Sequence, residues 1–389
     1  MQDFTFSYPT KVYFGEGALG RALPGELARV GETVMLAYGG GSIKKNGVYD
    51  AVTVQLEAAG KKVVEFSGIM PNPTYAKVQE GAELARRENV DFILAVGGGS
   101  VIDCCKIVSV QAKTDEDVWT MEFAERRMPS AGIPMGAVVT IFGTGAEMNN
   151  GAVITNEETR QKNGMLGSFH SFAVLDPAYT LSAPMKQALS GAFDMLSHSM
   201  ETYFGKPYDN NLSDRIALAN MRCIVDNTRA MIADPGDLAP RGELFWASAM
   251  AENGILKIGK ATAFQAHMIE HQLGAYTDCN HGFGLAVIHP AMYRRMWEGA
   301  PEQFARFATE VWGVDAAGKT VGELAQAGID ALEAFIKEIG LPTTLAEMGI
   351  CGEGTDEMLR AVADSTIIVP SAPKVLDADA IYEILQECK

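Results

Sequence analysis

The sequence predicts an α/β domain built on a parallel sheet over residues 1–181, followed by an all-α domain over residues 182–389. In the first part, short apolar runs without polar alternation are separated by amphipathic segments of helical period. Such runs form strands that are buried on both faces, which is typical of a parallel sheet covered by helices. From about residue 182 the strand-like runs stop, and segments of helical period continue to the end of the chain.

Four apolar runs define the predicted sheet. They cover residues 34–38, 63–66, 92–96 and 137–141, and each leads to a turn that contains glycine or proline. Residues 75–88 separate the second and third runs and have the period of an amphipathic helix. Alternation of this kind predicts strand–helix–strand units.

Capping residues and prolines divide the second part into helices. Ser182 is expected to cap a helix whose first turn holds Pro184. Later helix boundaries are expected at Ser213, Pro240, Pro301 and Pro342.

The composition is that of a globular protein with a strong negative charge. Of 389 residues, 47% are hydrophobic and 21% are charged, which excludes a disordered chain. The formal net charge of −17 repels nucleic acid and anionic membrane surfaces, so we expect neither as a partner. The first ten residues lack the basic and apolar regions of a secretion signal, so we expect a cytoplasmic protein. The six cysteines form no CxxC pair and are expected to be reduced thiols.

Two glycine turns follow predicted strands and are candidates for binding a nucleotide. Backbone N–H groups and a helix N-terminus at such a turn can contact a phosphate, because glycine has no Cβ to obstruct it. The second turn matches the dinucleotide fingerprint only in part, since Ile102 stands at its third glycine position. A tight turn without a ligand would explain one such feature, whereas two favour a nucleotide. The candidate residues are Gly39, Gly40, Gly41 and Ser42 in the first turn, and Gly97, Gly98, Gly99 and Ser100 in the second.

Residues after the first turn indicate which nicotinamide cofactor would bind. An acidic residue beyond such a strand usually holds the ribose 2′-hydroxyl of NAD(H) and repels the 2′-phosphate of NADP(H). No acidic residue lies between Tyr38 and Gly47, whereas Lys44 and Lys45 supply positive charge. We therefore expect NADP(H) to be preferred, with NAD(H) as the alternative. Two lysines at a helix start are also common on solvated faces.

Carboxylate and imidazole side chains recur at a spacing that suits a metal ion. Asp194 and His198 are four residues apart, which places both on one face of a predicted helix. His267 and His271 repeat this spacing, and His281 follows in a glycine-rich turn. One pair alone is often a core polar contact, but two pairs with His281 favour one divalent ion, Fe²⁺ or Zn²⁺. We prefer His271 as a proton relay over a fifth ligand, because a catalytic metal needs an open position.

The HxxEH pattern of inverted zinc peptidases also occurs, from His267 to His271, with Glu270 as the potential general base. This zinc hydrolase interpretation gives no role to Asp194, to His198 or to the glycine turns. A third interpretation is a nucleotide- or metal-binding sensor without catalysis, and the intact set of metal-binding positions argues against it. Replacing Glu270 would separate the first two interpretations, since only a peptidase would lose all activity.

Together, these residues resemble the iron-containing (group III) alcohol dehydrogenase family, most closely its butanol dehydrogenase branch, over essentially the whole chain. Shorter motifs add to the resemblance: Pro71-Asn72-Pro73, Asp103 with Lys106, Thr140 and Thr144 with Glu147, Lys162, and Asp176-Pro177 with Thr180 and Pro184. The resemblance implies a Rossmann-like dinucleotide-binding domain and a helical metal-binding domain, the fold that dehydroquinate synthases share.

The resemblance also implies roles for individual residues. The metal-binding residues that it implies are Asp194, His198, His267 and His281. Within the second glycine turn, it places Gly98, Gly99 and Ser100 at the cofactor diphosphate. The further cofactor-binding residues that it implies are Asn72, Asp103, Thr140, Thr144, Asn149, Lys162 and Leu181.

Members of this family are metal-dependent, NAD(P)H-linked enzymes that act on short- to medium-chain primary alcohols and aldehydes. They are commonly dimers. We therefore expect this activity on a small-molecule substrate, and a homodimer. Polyol dehydrogenases such as the glycerol dehydrogenases share the fold and are the nearest alternative.

Overall fold

The computed structural model describes residues 3–389, which form two compact units. One unit is Ser7–Pro184. The other is Met185–Lys389 together with residues 3–6. Among the described residues, no helix is both long enough and apolar enough to cross a membrane.

Strands and helices alternate in the Ser7–Pro184 unit. Its strands are β1 (Lys11–Phe14), β2 (Thr33–Tyr38), β3 (Lys62–Phe66), β4 (Phe92–Gly97), β5 (Met135–Val139), β6 (Gly151–Asn156), β7 (Gln161–Leu166) and β8 (His170–Leu175). Its α-helices are α1 (Ala18–Leu27), α2 (Ser42–Lys45), α3 (Val48–Ala58), α4 (Tyr75–Arg87), α5 (Gly99–Gln111) and α6 (Val118–Phe123). Six strands form a parallel sheet in the order β1-β8-β5-β4-β2-β3, and β6 pairs with β7 as an antiparallel hairpin.

Alternate residues of the central strands bury one face of this sheet. Leu36 of β2 and Leu94 of β4 belong to one core cluster with Leu23 of α1 and Val52 of α3, and all four are fully buried or nearly so. Burial of such side chains is worth about 1.5–3 kcal/mol each relative to exposure, so this face holds the helices on the sheet.

The chain changes direction across the sheet beside β2. It passes from β2 to β3 at one edge, returns to β4 on the other side of β2, and then continues to β5. In open α/β sheets, ligands bind at the carboxyl ends of the strands where this reversal occurs. Both glycine turns lie there, since Gly39 follows β2 and Gly97 ends β4.

The predicted parallel sheet is confirmed, and its four predicted strands are present with ends shifted by one or two residues. β5 ends at Val139, so Thr140 and Ile141 lie beyond the strand. The sequence did not predict β1, the β6–β7 hairpin or β8. The hairpin was missed because β7 has the mixed sequence QKNGML, which contains no apolar run.

The unit that begins at Met185 is helical. In its described part, the α-helices are α7 (Met185–Tyr203), α8 (Leu212–Ala233), α9 (Leu238–Glu252), α10 (Gln265–Thr277), α11 (His281–Met296), α12 (Pro301–Arg306), α13 (Val321–Glu338), α14 (Thr355–Ser365) and α15 (Ala378–Glu387). Ser182 does not cap α7 as predicted. It ends a 3₁₀ helix, Pro177–Ser182, where its hydroxyl donates to Tyr179 O at 3.0 Å. Ala183 is extended because it precedes Pro184, and α7 begins only after that proline.

Candidate metal centre and nucleotide site

Three helices bring the predicted metal-binding residues together in the Met185–Lys389 unit. Asp194 and His198 lie one turn apart on α7. His267 lies in the first turn of α10, and His281 is the first residue of α11. The expectation that His281 lies in a turn was wrong, because the side chain of Asn280 caps α11 and starts the helix at His281.

The imidazole nitrogens converge on one oxygen of Asp194. Asp194 Oδ1 lies 3.6 Å from His198 Nε2, 3.6 Å from His267 Nε2 and 3.4 Å from His281 Nε2. Two donors bound about 2.1 Å from a tetrahedral ion lie about 3.4 Å from each other. The observed separations are therefore those of atoms that share one ion.

Two glutamates contact the far nitrogens of two of these imidazoles. Glu201 of α7 is hydrogen-bonded to His267 Nδ1, and it also accepts the backbone N–H of Ala266 at 2.6 Å. Glu270 of α10 is hydrogen-bonded to His281 Nδ1. A carboxylate at Nδ1 keeps the proton there, so that Nε2 is available to a metal.

Sequence reasoning missed this role of both glutamates. Glu201 is 66 residues from His267, so no local pattern joins them. The available signal was helical period, because Glu201 is seven residues, or about two turns, after Asp194 and so lies on the same face of α7. The HxxEH pattern predicts only the role of a peptidase base for Glu270.

The arrangement differs from the HxxEH interpretation. In that pattern, both histidines bind zinc and the glutamate activates water. Here the Nε2 atoms of His267 and His281 face Asp194, and Glu270 supports His281. His271 lies beside the set, with its ring centroid 5.7 Å from that of His281.

The electrostatic environment of this centre favours positive charge. Burial opposes ionisation of Asp194, but the facing imidazoles of His198, His281 and His267 hold its pKa well below the usual range. Burial likewise opposes protonation of His267, yet the carboxylates of Asp194 and Glu201 raise its pKa to about 10. Burial lowers the pKa of His198 to about 4, so this imidazole is neutral at pH 7 and its Nε2 can bind a metal ion through its lone pair.

These residues fit a divalent ion. Asp194 Oδ1 and His267 Nε2 are buried, and neither has a hydrogen-bond partner among the described residues. Leaving such a group unpaired costs about 1–3 kcal/mol, and a cation between them would remove that cost. Donor atoms of Asp194, His267 and His281 all lie within 4.8 Å of one another. One carboxylate oxygen with imidazole nitrogens suits Fe²⁺ or Zn²⁺.

A buried hydrogen bond joins the two helices that carry Asp194 and His281. Ser197 Oγ of α7 lies 2.7 Å from His289 Nε2 of α11, and both residues are fully buried. Burial holds the pKa of His289 well below its ordinary value, so the ring is neutral. This contact fixes the spacing of α7 and α11 behind the metal-binding residues.

The first glycine turn leaves room at the carboxyl end of β2, whereas the second, at the end of β4, is closely packed. No heavy atom of the described chain lies within 4 Å of the position that a Cβ on Gly40 or Gly41 would take. In the second turn, a Cβ on Gly99 would lie 2.4 Å from Thr144 Oγ1, so Thr144 packs directly on this glycine. Gly98 is the N-cap of α5, and the free N–H groups of that helix begin here. This geometry fits a dinucleotide phosphate.

Two of the predicted cofactor residues hold the β6–β7 hairpin. Asp103 Oδ2 accepts a hydrogen bond from Val153 N at 2.9 Å. Asn149 Oδ1 accepts one from the buried Lys106 Nζ at 3.0 Å and another from Gly151 N at 3.0 Å. These contacts give Asp103 and Asn149 a structural role.

The other predicted cofactor residues lie on loops and on the hairpin. Thr140 N donates to Gly97 O at 3.0 Å, which places Thr140 at the second turn. Lys162 is buried in β7, whereas Leu181 is half-exposed in the 3₁₀ helix after β8. Asn72 has a φ of 51° in the loop after β3.

Two family models match nearly all of this chain. The model of iron-containing alcohol dehydrogenase matches residues 9–177, and the model of the C-terminal part of the Fe-containing alcohol dehydrogenase family matches residues 188–388. The chain belongs to the iron-containing alcohol dehydrogenase family. The family predicted from the sequence motifs is therefore confirmed.

Relatives place this alcohol dehydrogenase in the butanol dehydrogenase branch. It is 40% identical over 370 residues to the probable NADH-dependent butanol dehydrogenase 1 of Bacillus subtilis, with 94% of each chain covered. It is 33% identical over 375 residues to the NADPH-dependent aldehyde reductase YqhD of Escherichia coli, again with 94% of each chain covered.

A solved structure agrees with this placement. The NADH-dependent butanol dehydrogenase A of Thermotoga maritima superposes with a TM-score of 0.92 at 36% identity, covering 100% of this chain and 99% of that one. The fold and the reaction class predicted from the sequence are confirmed, since this enzyme is an NAD(P)-linked alcohol dehydrogenase or aldehyde reductase. The comparisons give no support to a zinc hydrolase.

Proposed function

We propose that this enzyme reduces short- to medium-chain aldehydes to primary alcohols, with NADPH as the preferred hydride donor and NADH as a possible one. The observation that carries the proposal is the convergence of three imidazole Nε2 atoms on one buried oxygen of Asp194. The substrate class is supported by relatives whose names specify butanol dehydrogenase and aldehyde reductase.

We assign one Fe²⁺ or Zn²⁺ ion to Asp194, His198, His267 and His281. When bound, such an ion supplies Lewis-acid polarisation of the substrate oxygen. Glu201 and Glu270 hold two of the imidazoles in the required tautomer, as their hydrogen bonds to Nδ1 indicate.

His271 is the residue that we assign to proton transfer. It is buried, and its ring nitrogen lies within 4.8 Å of donor atoms of Glu270 and His281. Hydride addition leaves negative charge on the substrate oxygen, and an imidazole nitrogen of His271 supplies the proton that completes the alcohol. The ring of Phe264 packs against that of His267, with their centroids 4.9 Å apart.

The glycine turns bind the cofactor in this proposal. The turn at residues 97–100 and the start of α5 contact the diphosphate, because their N–H groups are available to an anion. Thr140, Thr144 and Lys162 line the rest of the nucleotide site. When bound, the nicotinamide supplies the hydride.

We also propose that the enzyme is a cytoplasmic homodimer. The family resemblance supports the dimer. All six cysteines are free thiols in the structure, which is what a reducing compartment requires.

The proposal is tested by following oxidation of NADPH and of NADH with butyraldehyde, on protein purified without oxygen and loaded separately with Fe²⁺ or Zn²⁺. We expect metal-dependent turnover that is faster with NADPH at limiting cofactor. No turnover with either cofactor across several aldehydes, despite bound metal, would refute the proposed substrate class. Polyols would then be the next substrates to examine.

A further inference from the structure

Four side chains form a charged cluster beside the first glycine turn. They are Tyr38 at the end of β2, Lys44 on α2, Tyr49 on α3 and Glu65 near the end of β3. We call this group the Lys44 cluster. The sheet register brings its carboxylate close, because Leu36 of β2 pairs with Glu65 of β3.

Glu65 is the hydrogen-bond acceptor at the centre of the Lys44 cluster. Tyr38 Oη donates to Glu65 Oε2 at 2.5 Å, and Tyr49 Oη donates to Glu65 Oε1. These hydrogen bonds, first from Tyr38 and then from Tyr49, lower the pKa of Glu65, so the carboxylate is charged at pH 7. The two phenols therefore fix an anion at this position.

Lys44 is held against this anion. Its Nζ lies 3.8 Å from Glu65 Oε2, and 4.4 Å and 5.1 Å from the ring centroids of Tyr49 and Tyr38. The side chains of Lys44 and Glu65 are 47% and 44% exposed, so a bound ligand can reach both. The positive charge that the local sequence offers to a 2′-phosphate is thus already paired with a carboxylate from the neighbouring strand.

We propose that Glu65 determines cofactor specificity by competing with the 2′-phosphate of NADP(H) for Lys44. A 2′-phosphorylated dinucleotide gains the attraction of Lys44 and meets the repulsion of Glu65, whereas NAD(H) carries no charge at this position. Glu65 therefore lowers the affinity for NADPH relative to the affinity for NADH, and so reduces the preference for NADPH. This inference rests on the proposed binding of the cofactor at the glycine turns.

The test compares wild type with Glu65→Gln, which removes the charge and keeps a hydrogen-bonding group for each tyrosine: the amide oxygen accepts from one phenol and the amide N–H donates to the other. Dissociation constants of NADPH and NADH are measured from the fluorescence of the reduced nicotinamide, and kcat/KM is measured for each cofactor with one aldehyde. We expect the ratio of NADPH to NADH affinity to rise by about 1.5-fold to fivefold, the size of one partly exposed charge interaction. This rise in the affinity ratio should be smaller at high salt, because salt screens interactions between exposed charges.

Glu88→Gln is the matched control. Glu88 pairs with Lys62 at 3.3 Å at the start of β3, so this variant removes the same charge from a similar ion pair at the other end of the strand. Its ratio of NADPH to NADH affinity should equal that of wild type. A rise as large as in Glu65→Gln would assign the effect to net charge and overturn the proposal.

A second comparison, made in the Lys44→Ala variant, tests whether the effect of Glu65 depends on Lys44. In Lys44→Ala, adding Glu65→Gln should raise the ratio of NADPH to NADH affinity less than it does in wild type. Without Lys44, Glu65 and the 2′-phosphate no longer compete for a cation. An unchanged ratio in Glu65→Gln, or an equal rise with and without Lys44, would contradict the proposal. The binding titrations keep this test separate from the proposed activity, since they need neither aldehyde nor turnover.

Discussion

In the Met185–Lys389 unit the metal-binding atoms belong to buried or partly buried side chains, whereas in the Ser7–Pro184 unit the nucleotide-binding edge is largely backbone without side chains. Asp194 and His267 are almost fully buried, and Glu201 supports them from behind. At the glycine turns, the space around Gly40 and Gly41 is open. One site is defined by the groups that are present, and the other by the Cβ atoms that are absent.

The contrast teaches how each site responds to substitution. A buried donor set has no replacement for a lost ligand, and the remaining charges are then left unpaired. A backbone site keeps its N–H groups whatever the side chain is, so damage there comes from obstruction. A single substitution of a metal-binding residue should therefore abolish metal binding, whereas a single substitution at the nucleotide site should only weaken cofactor binding.

The largest effect is expected from Asp194→Asn, which removes the charged oxygen that all three imidazoles face. We expect loss of bound metal and a fall in turnover of at least about a thousandfold. Metal content by mass spectrometry and aldehyde reduction check this result. Asp226→Asn, in a surface ion pair of α8, is the control and should keep both. Turnover that survives in metal-free Asp194→Asn protein would contradict the assignment of the centre.

The next largest effect is expected from Glu201→Gln and Glu270→Gln, which weaken the hold on His267 and His281. Metal affinity should fall by about 10- to 100-fold, with turnover recovered at excess metal. Competition with a chelator measures the affinity. Glu338→Gln, at a surface pair with Arg229, should leave it unchanged. If Glu270→Gln abolished aldehyde reduction even at saturating metal, a role confined to holding His281 would be contradicted.

A smaller effect is expected at the nucleotide site from Gly99→Ala. Its Cβ would lie 2.4 Å from Thr144 Oγ1, so the turn must shift, and such overpacking costs about 1–3 kcal/mol. We expect the KM for the cofactor to rise about fivefold or more while metal content stays the same. Gly25→Ala on α1, where a Cβ meets nothing within 4 Å, should bind cofactor normally. Loss of metal in Gly99→Ala would show that the two sites are not built independently.

The smallest effect is expected from His289→Leu, which leaves the hydroxyl of Ser197 buried without its 2.7 Å partner. An unpaired buried group costs about 1–3 kcal/mol, and each kcal/mol lowers the Tm of a unit of this size by about 2–4 °C. Calorimetry on the metal-loaded enzyme measures the shift. His289→Gln, which can restore a hydrogen bond, should recover part of it. A changed KM for the cofactor with an unchanged Tm would oppose a role confined to the helices of the metal centre.

The two sites also differ in how much of each could be predicted from sequence. The i, i+4 spacing of Asp194 and His198 is visible in the sequence, and the structure brings both residues together with His267 and His281. The support from Glu201 was not visible, because it depends on how α7 packs against α10. Long-range packing of this kind leaves no local pattern.

At the nucleotide site, the sequence predicted the two turns in which glycines follow a strand. It did not predict what a neighbouring strand contributes. The stretch from Tyr38 to Gly47 lacks an acidic residue, yet Glu65 arrives from β3 through the pairing of β2 with β3. Thr144 likewise reaches Gly99 only through the loop that follows β5. Sheet register and the loop after β5, rather than the residues next to each turn, decide which side chains surround the turns.

The most direct test of the metal centre is a titration of metal-free enzyme with Fe²⁺ or Zn²⁺, in which bound metal and aldehyde reduction are measured on the same samples. Turnover should rise in proportion to bound metal and stop rising at one ion per chain. Full turnover before any metal is added, or a plateau of bound metal without turnover, would contradict the assignment of a catalytic ion to Asp194, His198, His267 and His281.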